Sequence, residues 1–93
     1  MSILVRYSPA GLTADQYRSV DEKAQASEHW PPAGLDYHVC LGDDGDLRVS
    51  EVWDSREQWE AFGPHLMPLL EEAGITMAAE PEVVPIHNIV RLR

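Results

Sequence analysis

Five residues near the middle of the chain, Gly42-Asp43-Asp44-Gly45-Asp46, restrict its fold more than any others. They separate two runs rich in aliphatic, β-branched and aromatic residues, Leu35 to Leu41 and Leu47 to Trp53. Two strands joined by so short a Gly/Asp turn must be antiparallel neighbours. A three-residue loop, Asp43-Asp44-Gly45, fits a type I turn with Gly45 at positive φ, where a Cβ would clash. That register pairs Leu41 with Leu47, Val39 with Val49 and Tyr37 with Glu51. On the opposite face it pairs Cys40 with Arg48 and His38 with Ser50. Side chains alternate along a strand. Leu35, Tyr37, Val39, Leu41, Leu47, Val49, Glu51 and Trp53 are therefore predicted to lie under helices. Asp36, His38, Cys40, Arg48, Ser50 and Val52 face the other way.

The flanking sequence supplies the helices. Ile3 to Tyr7 reads as a first strand, ended by Ser8-Pro9-Ala10-Gly11. Thr13 and Gln16 have the spacing of a capping box, with Leu12 and Tyr17 at the positions of a hydrophobic staple. Ala14, Tyr17, Val20 and Ala24 then recur at helical spacing. This helix should stop near Ser27, because Pro31-Pro32 cannot continue it. Asp54 or Ser55 caps a second helix carrying Trp59, Phe62, Leu66, Leu69 and Ala73 on one stripe. Pro64 predicts a kink or restart there, and Gly74 a C-terminal cap. A last strand is expected over Val83 to Arg91, at a sheet edge because of Pro85. The order is βαββαβ, a single ferredoxin-like α+β domain over residues 1–93.

A chain of 93 residues builds only a marginal core. Two helices cover one sheet face, while the other keeps apolar residues such as Val52 and Cys40. A second copy would cover that face, so a homodimer with facing sheets is expected. The formal net charge of −9 disfavours nucleic acid and anionic membranes as partners. The single Cys40 cannot form an internal disulfide, and the N-terminus lacks the pattern of a signal peptide. The expected compartment is the cytoplasm.

The stretch Leu47-Arg48-Val49-Ser50-Glu51-Val52-Trp53-Asp54-Ser55-Arg56-Glu57-Gln58-Trp59-Glu60-Ala61-Phe62 resembles the strand-to-helix junction of the dimeric α/β-barrel superfamily. The likeness is to its small antibiotic biosynthesis monooxygenase-like members. Val84-Pro85-Ile86-His87-Asn88 is similar to the last strand of uncharacterised actinobacterial members. The resemblance implies two ferredoxin-like sheets closing into a barrel, with a small-molecule pocket. It covers cofactor-free monooxygenases of polycyclic phenols, haem-degrading enzymes and proteins of no known activity. Many members carry a His about nine residues after the junction Trp, where this chain has Phe62. The nearest His is His65, beyond Pro64. The haem-degrading branch uses an Asn on the first strand and a Trp on the second helix. The first strand here has no Asn, and Phe62 falls near the Trp position, so haem degradation is disfavoured.

Oxidation of a phenol by O₂ without flavin or metal requires a base, hydrogen-bond donors for the oxyanion and an apolar cavity. His38 and His87 are the candidate bases. Tyr37, Ser50 and Asn88 are candidates to orient a small aromatic substrate, and Trp53 to wall the pocket. The plainer reading of each His is a satisfied barrel residue. Glu51 reads as an acceptor for the Tyr37 hydroxyl or, more sharply, as a buried acid with a functional role. No metal or other cofactor is expected: His29, His38, His65 and His87 have no ligand spacing. The leading expectation is a monooxygenase-like pocket protein. The alternatives are a non-catalytic binder of small ligands and a purely structural dimer.

Overall fold

A computed structural model describes residues 1–92. The elements are β1 (Ile3–Tyr7), α1 (Ala14–Ala26), β2 (Leu35–Leu41), β3 (Arg48–Trp53), α2 (Arg56–Glu72) and β4 (Glu82–Pro85). They form an antiparallel sheet in the order β2-β3-β1-β4. This is the expected ferredoxin-like α+β arrangement, with Pro85 on an edge strand. β4 is shorter than the expected Val83 to Arg91. Ile86 still donates its N–H to the Ser2 carbonyl, at 3.0 Å, and the chain beyond it is irregular.

Both helices start and stop where local chemistry directs. At α1, Gln16 N–H donates to the Thr13 hydroxyl at 3.1 Å, and Thr13 N–H donates to Gln16 Oε1 at 3.0 Å. This is a reciprocal capping box. Ser55 caps α2. Gly74 closes it at φ +72°, with Ile75 N–H on the Leu70 carbonyl and Gly74 N–H on that of Glu71. That pair of bonds is a Schellman motif. The expected restart at Pro64 is absent, for α2 continues through Pro64 and Pro68. Their missing donors leave the Glu60 and Pro64 carbonyls unpaired within the helix. Both residues are exposed, so water can serve those carbonyls.

The hairpin register differs from the expected one by a single residue. Leu41 pairs with Arg48, Cys40 with Val49, Val39 with Ser50, His38 with Glu51 and Tyr37 with Val52. Leu47 is the cause. Its N–H turns away from β2 to the Leu12 carbonyl, at 3.1 Å, so the loop lengthens to residues 42–47. Gly42 joins Gly45 at positive φ, +101° and +89°. Asp44 carries the loop onto α1, its carboxylate accepting from Ala14 N–H at 2.8 Å. A one-residue slip turns a whole strand over. His38 and Cys40 consequently face the helices, while Tyr37, Val39 and Leu41 lie on the open side. An irregularity between Leu35 and Tyr37 restores Leu35 opposite Trp53.

The core under the helices is small. Ile3, Val5 and Trp53 form its centre, with Tyr7, Leu35, Trp59, Phe62 and Val83 against them. Burying a side chain such as Val5 contributes about 1.5–3 kcal/mol. No residue of α2 is fully buried, because a cavity separates that helix from part of the sheet.

Candidate functional site

The cavity is about 80 Å³ in volume and lies between α1, α2 and the sheet. Its lining is mostly apolar. Val20 and Ala24 come from α1, Val49 from β3, Phe62, Leu66 and Leu70 from α2, and Met77 from the segment bridged to Pro9. Into this surface project the side chains that carry the chemistry: Tyr7, Tyr17, His38 and Glu51.

Among the described residues, Glu51 is the one buried charged side chain, at 6% exposure. Its Oε2 lies 2.7 Å from His38 Nδ1, and its Oε1 accepts from the Trp53 indole N–H at 3.0 Å. A carboxylate can only accept, so His38 Nδ1 carries a hydrogen. In the neutral imidazole Nε2 is then an acceptor, and it lies 2.8 Å from the Tyr17 hydroxyl, which donates to it. The result is a linear array: Trp53 and His38 on Glu51, and Tyr17 on His38. The pairing of β2 with β3 places His38 beside Glu51. The α1 stripe places Tyr17 above them, its ring stacked on the imidazole at 6.1 Å between centroids.

Tyr7 occupies the strand position next to this array, and its hydroxyl accepts from the Trp59 indole at 2.7 Å. Burial first, and the nearby Glu51 charge second, push the Tyr7 hydroxyl far above its ordinary pKa. Burial, followed by the charges of Asp21, Cys40 and Glu51, pushes Tyr17 up to about 12. Both phenols stay neutral across the physiological range. Burial and Asp21 also push the Cys40 thiol up, which favours its protonated form. Among the described residues, no buried side-chain nitrogen or oxygen lacks a hydrogen-bond partner.

Of the expected site residues, the structure brings His38 into the cavity. Trp53 is fully buried beneath it, clamping Glu51 instead of walling the pocket. Ser50 lies on the open sheet face, as expected, but the register shift turns His38 away from it and brings Tyr37 to that open face instead. His87 and Asn88 are exposed on the irregular segment after β4 and do not line the cavity. His29 and His65 stack on each other at 3.6 Å outside it. Tyr7 and Tyr17 were not expected as site residues. Tyr17 reads as staple and stripe, yet a tyrosine on an inward stripe must find a partner for its hydroxyl. That requirement was the available signal. Among the described residues, no group of three or more His, Cys, Asp or Glu is placed to hold a metal ion.

No family model matches the sequence, and no curated protein is similar to it at sequence level. Solved structures do share its fold. A candidate antibiotic biosynthesis monooxygenase from Deinococcus radiodurans is similar over 100% of this chain and 99% of its own, with 14% identity and TM-score 0.66. SnoaB, a cofactor-independent oxygenase from Streptomyces nogalater, is similar over 96% of this chain and 94% of its own, with 17% identity and TM-score 0.62. A candidate antibiotic biosynthesis monooxygenase from Chloroflexus aurantiacus is similar over 96% of this chain and 95% of its own, with 21% identity and TM-score 0.55. The chain has the fold of the antibiotic biosynthesis monooxygenase-like proteins.

Proposed function

We propose that this protein is a monooxygenase-like enzyme that deprotonates a small phenolic substrate in the cavity and lets the phenolate react with O₂. The observation that carries this reading is the Glu51–His38–Tyr17 array at an apolar cavity wall. A carboxylate that fixes an imidazole tautomer and supports the imidazolium is the arrangement general-base catalysis requires. Tyr17 and His38 both line the cavity, and the Tyr17 hydroxyl occupies His38 Nε2. The substrate proton passes to the Tyr17 oxygen while the Tyr17 proton passes to His38 Nε2, and neither side chain has to move. The phenolate then forms a C–O bond to O₂ at a ring carbon bearing hydrogen. Loss of water from the resulting hydroperoxide leaves a quinone, so one phenol and one O₂ give one quinone and one water. The likeness in fold to SnoaB, a cofactor-independent oxygenase, supports this reading.

The cavity constrains the substrate. An apolar cavity of about 150 Å³ accommodates benzene. At about 80 Å³, this one admits a ring only when Leu66, Leu70 or Met77 turns aside. The reading extends to a homodimer. Tyr37 and Leu41 are exposed on the open sheet face, alongside Val84 of β4. A second copy laid over that face would remove them from water.

The test is oxygen uptake with simple quinols and naphthols, together with binding, for the wild type and His38→Ala. Loss of uptake with retained binding in the variant supports the enzyme. Wild-type binding without uptake identifies a binding module, and no binding at all leaves a structural dimer.

A further inference from the structure

The charges around the cavity are one-sided. Two carboxylates, Asp21 and Glu51, are in its lining, and among the described residues no Lys or Arg is. Glu51 is engaged by His38 and Trp53 at the inner end. Asp21 is on α1, one turn after Tyr17, and its only side-chain partner among the described residues is the neutral amide of Gln25, at 3.0 and 3.1 Å. Among the described residues no basic side chain neutralises this half-exposed charge beside the cavity. The described basic residues are held elsewhere: Arg18 by Asp15, Lys23 by Glu72, Arg56 by Glu60, Arg6 by Glu82, Arg48 by Asp46 and Arg91 by Asp36. The Asp21 field reaches the interior, where it helps raise both Tyr17 and Cys40.

From this we infer that the cavity selects phenols bearing a cationic amine and rejects those bearing a carboxylate or phosphate, with Asp21 as the residue that reads the charge. The inference rests on the phenol-binding reading of the same cavity. Asp21 lies one turn from Tyr17 in the same lining, so a ring seated against Tyr17 and His38 can carry a short alkylamine to Asp21, and Trp30 also lines the cavity. An anionic side arm would meet Asp21 and Glu51 with no basic group among the described residues to receive it. Desolvating that anion would then go uncompensated.

Three probes share one ring and differ in charge: tyramine, para-ethylphenol and para-hydroxyphenylpropionate. Their affinities are read from protein NMR shifts at His38, Tyr17 and Trp30. Tyramine is expected to bind roughly fivefold more tightly than para-ethylphenol, the scale of a solvent-screened ion pair, with the propionate weakest. Asp21→Asn should erase the advantage of tyramine. Glu22→Gln, an equal change in net charge on the exposed face of α1, should preserve it. Equal affinities, or a preference lost in both variants, overturn charge selection while leaving the phenol site standing. No shift at the cavity with any probe overturns both.

Discussion

At the scale of single residues, the account turns on a buried carboxylate with its acceptor sites filled by design of the sheet. Glu51 receives one donor from each neighbour, and that fixes which nitrogen of His38 faces the cavity. Glu51→Gln keeps the shape but allows the opposite tautomer. It should lower turnover by about a hundredfold or more, measured as kcat with binding affinity nearly unchanged. The phenols give a separate prediction. Tyr17 is raised from 10.0 to about 12, and Tyr7 is raised further. A raised folded-state pKa means that ionisation opposes folding. The stabilisation is complete below the unfolded value near pH 10 and is lost as pH rises through the folded values. Urea denaturation followed from pH 8 upward should therefore show stability falling above about pH 10. Tyr17→Phe should flatten that fall.

At the scale of elements, the chain is legible wherever the signal is local. Thr13 and Gln16 mark the start of α1, and Gly74 marks the end of α2, because caps act within one turn. The register of β2 was not legible. It depends on Leu47 donating to Leu12 and on Asp44 reaching Ala14, contacts between residues distant in sequence. The one-residue error had functional weight. It paired His38 with Ser50 instead of Glu51 and placed Tyr37 under the helices, whereas His38 lies beside Glu51 and Tyr37 on the open face. Candidate residues His38 and Glu51 were visible as residue types, but their partnership was not. Tyr17 was hidden because its ring satisfies the helix pattern without reference to its hydroxyl. Gly42 tests the structural side of this reading. A Cβ there would meet the Asp46 carbonyl oxygen at 2.9 Å, in a backbone at φ +101°. Gly42→Ala should cost about 1–3 kcal/mol in chemical denaturation. Gly45→Ala, with open space around its Cβ, should cost less.

At the scale of the whole molecule, the same sheet divides two tasks between its faces. The covered face holds the small core and the cavity, while the open face carries Tyr37, Val39, Leu41, Val52 and Val84. Sedimentation should give a particle of twice the chain mass for the wild type. Val52→Glu, which places a charge at the centre of the open face, should give a monomer with the fold retained by circular dichroism. A wild-type monomer at micromolar concentration would remove the proposed self-association. The cavity makes the more central claim: packing α1 on the sheet presents a hydrogen-free His38 Nε2, held by the Tyr17 hydroxyl, to a phenol by way of Tyr17. Nitrogen-detected NMR of the His38 ring, with and without added para-ethylphenol, tests it directly. A hydrogen on Nδ1 is expected in the free protein, and a shift of the Nε2 resonance when the phenol binds. A hydrogen resting on Nε2, or a ring indifferent to the phenol, would contradict it.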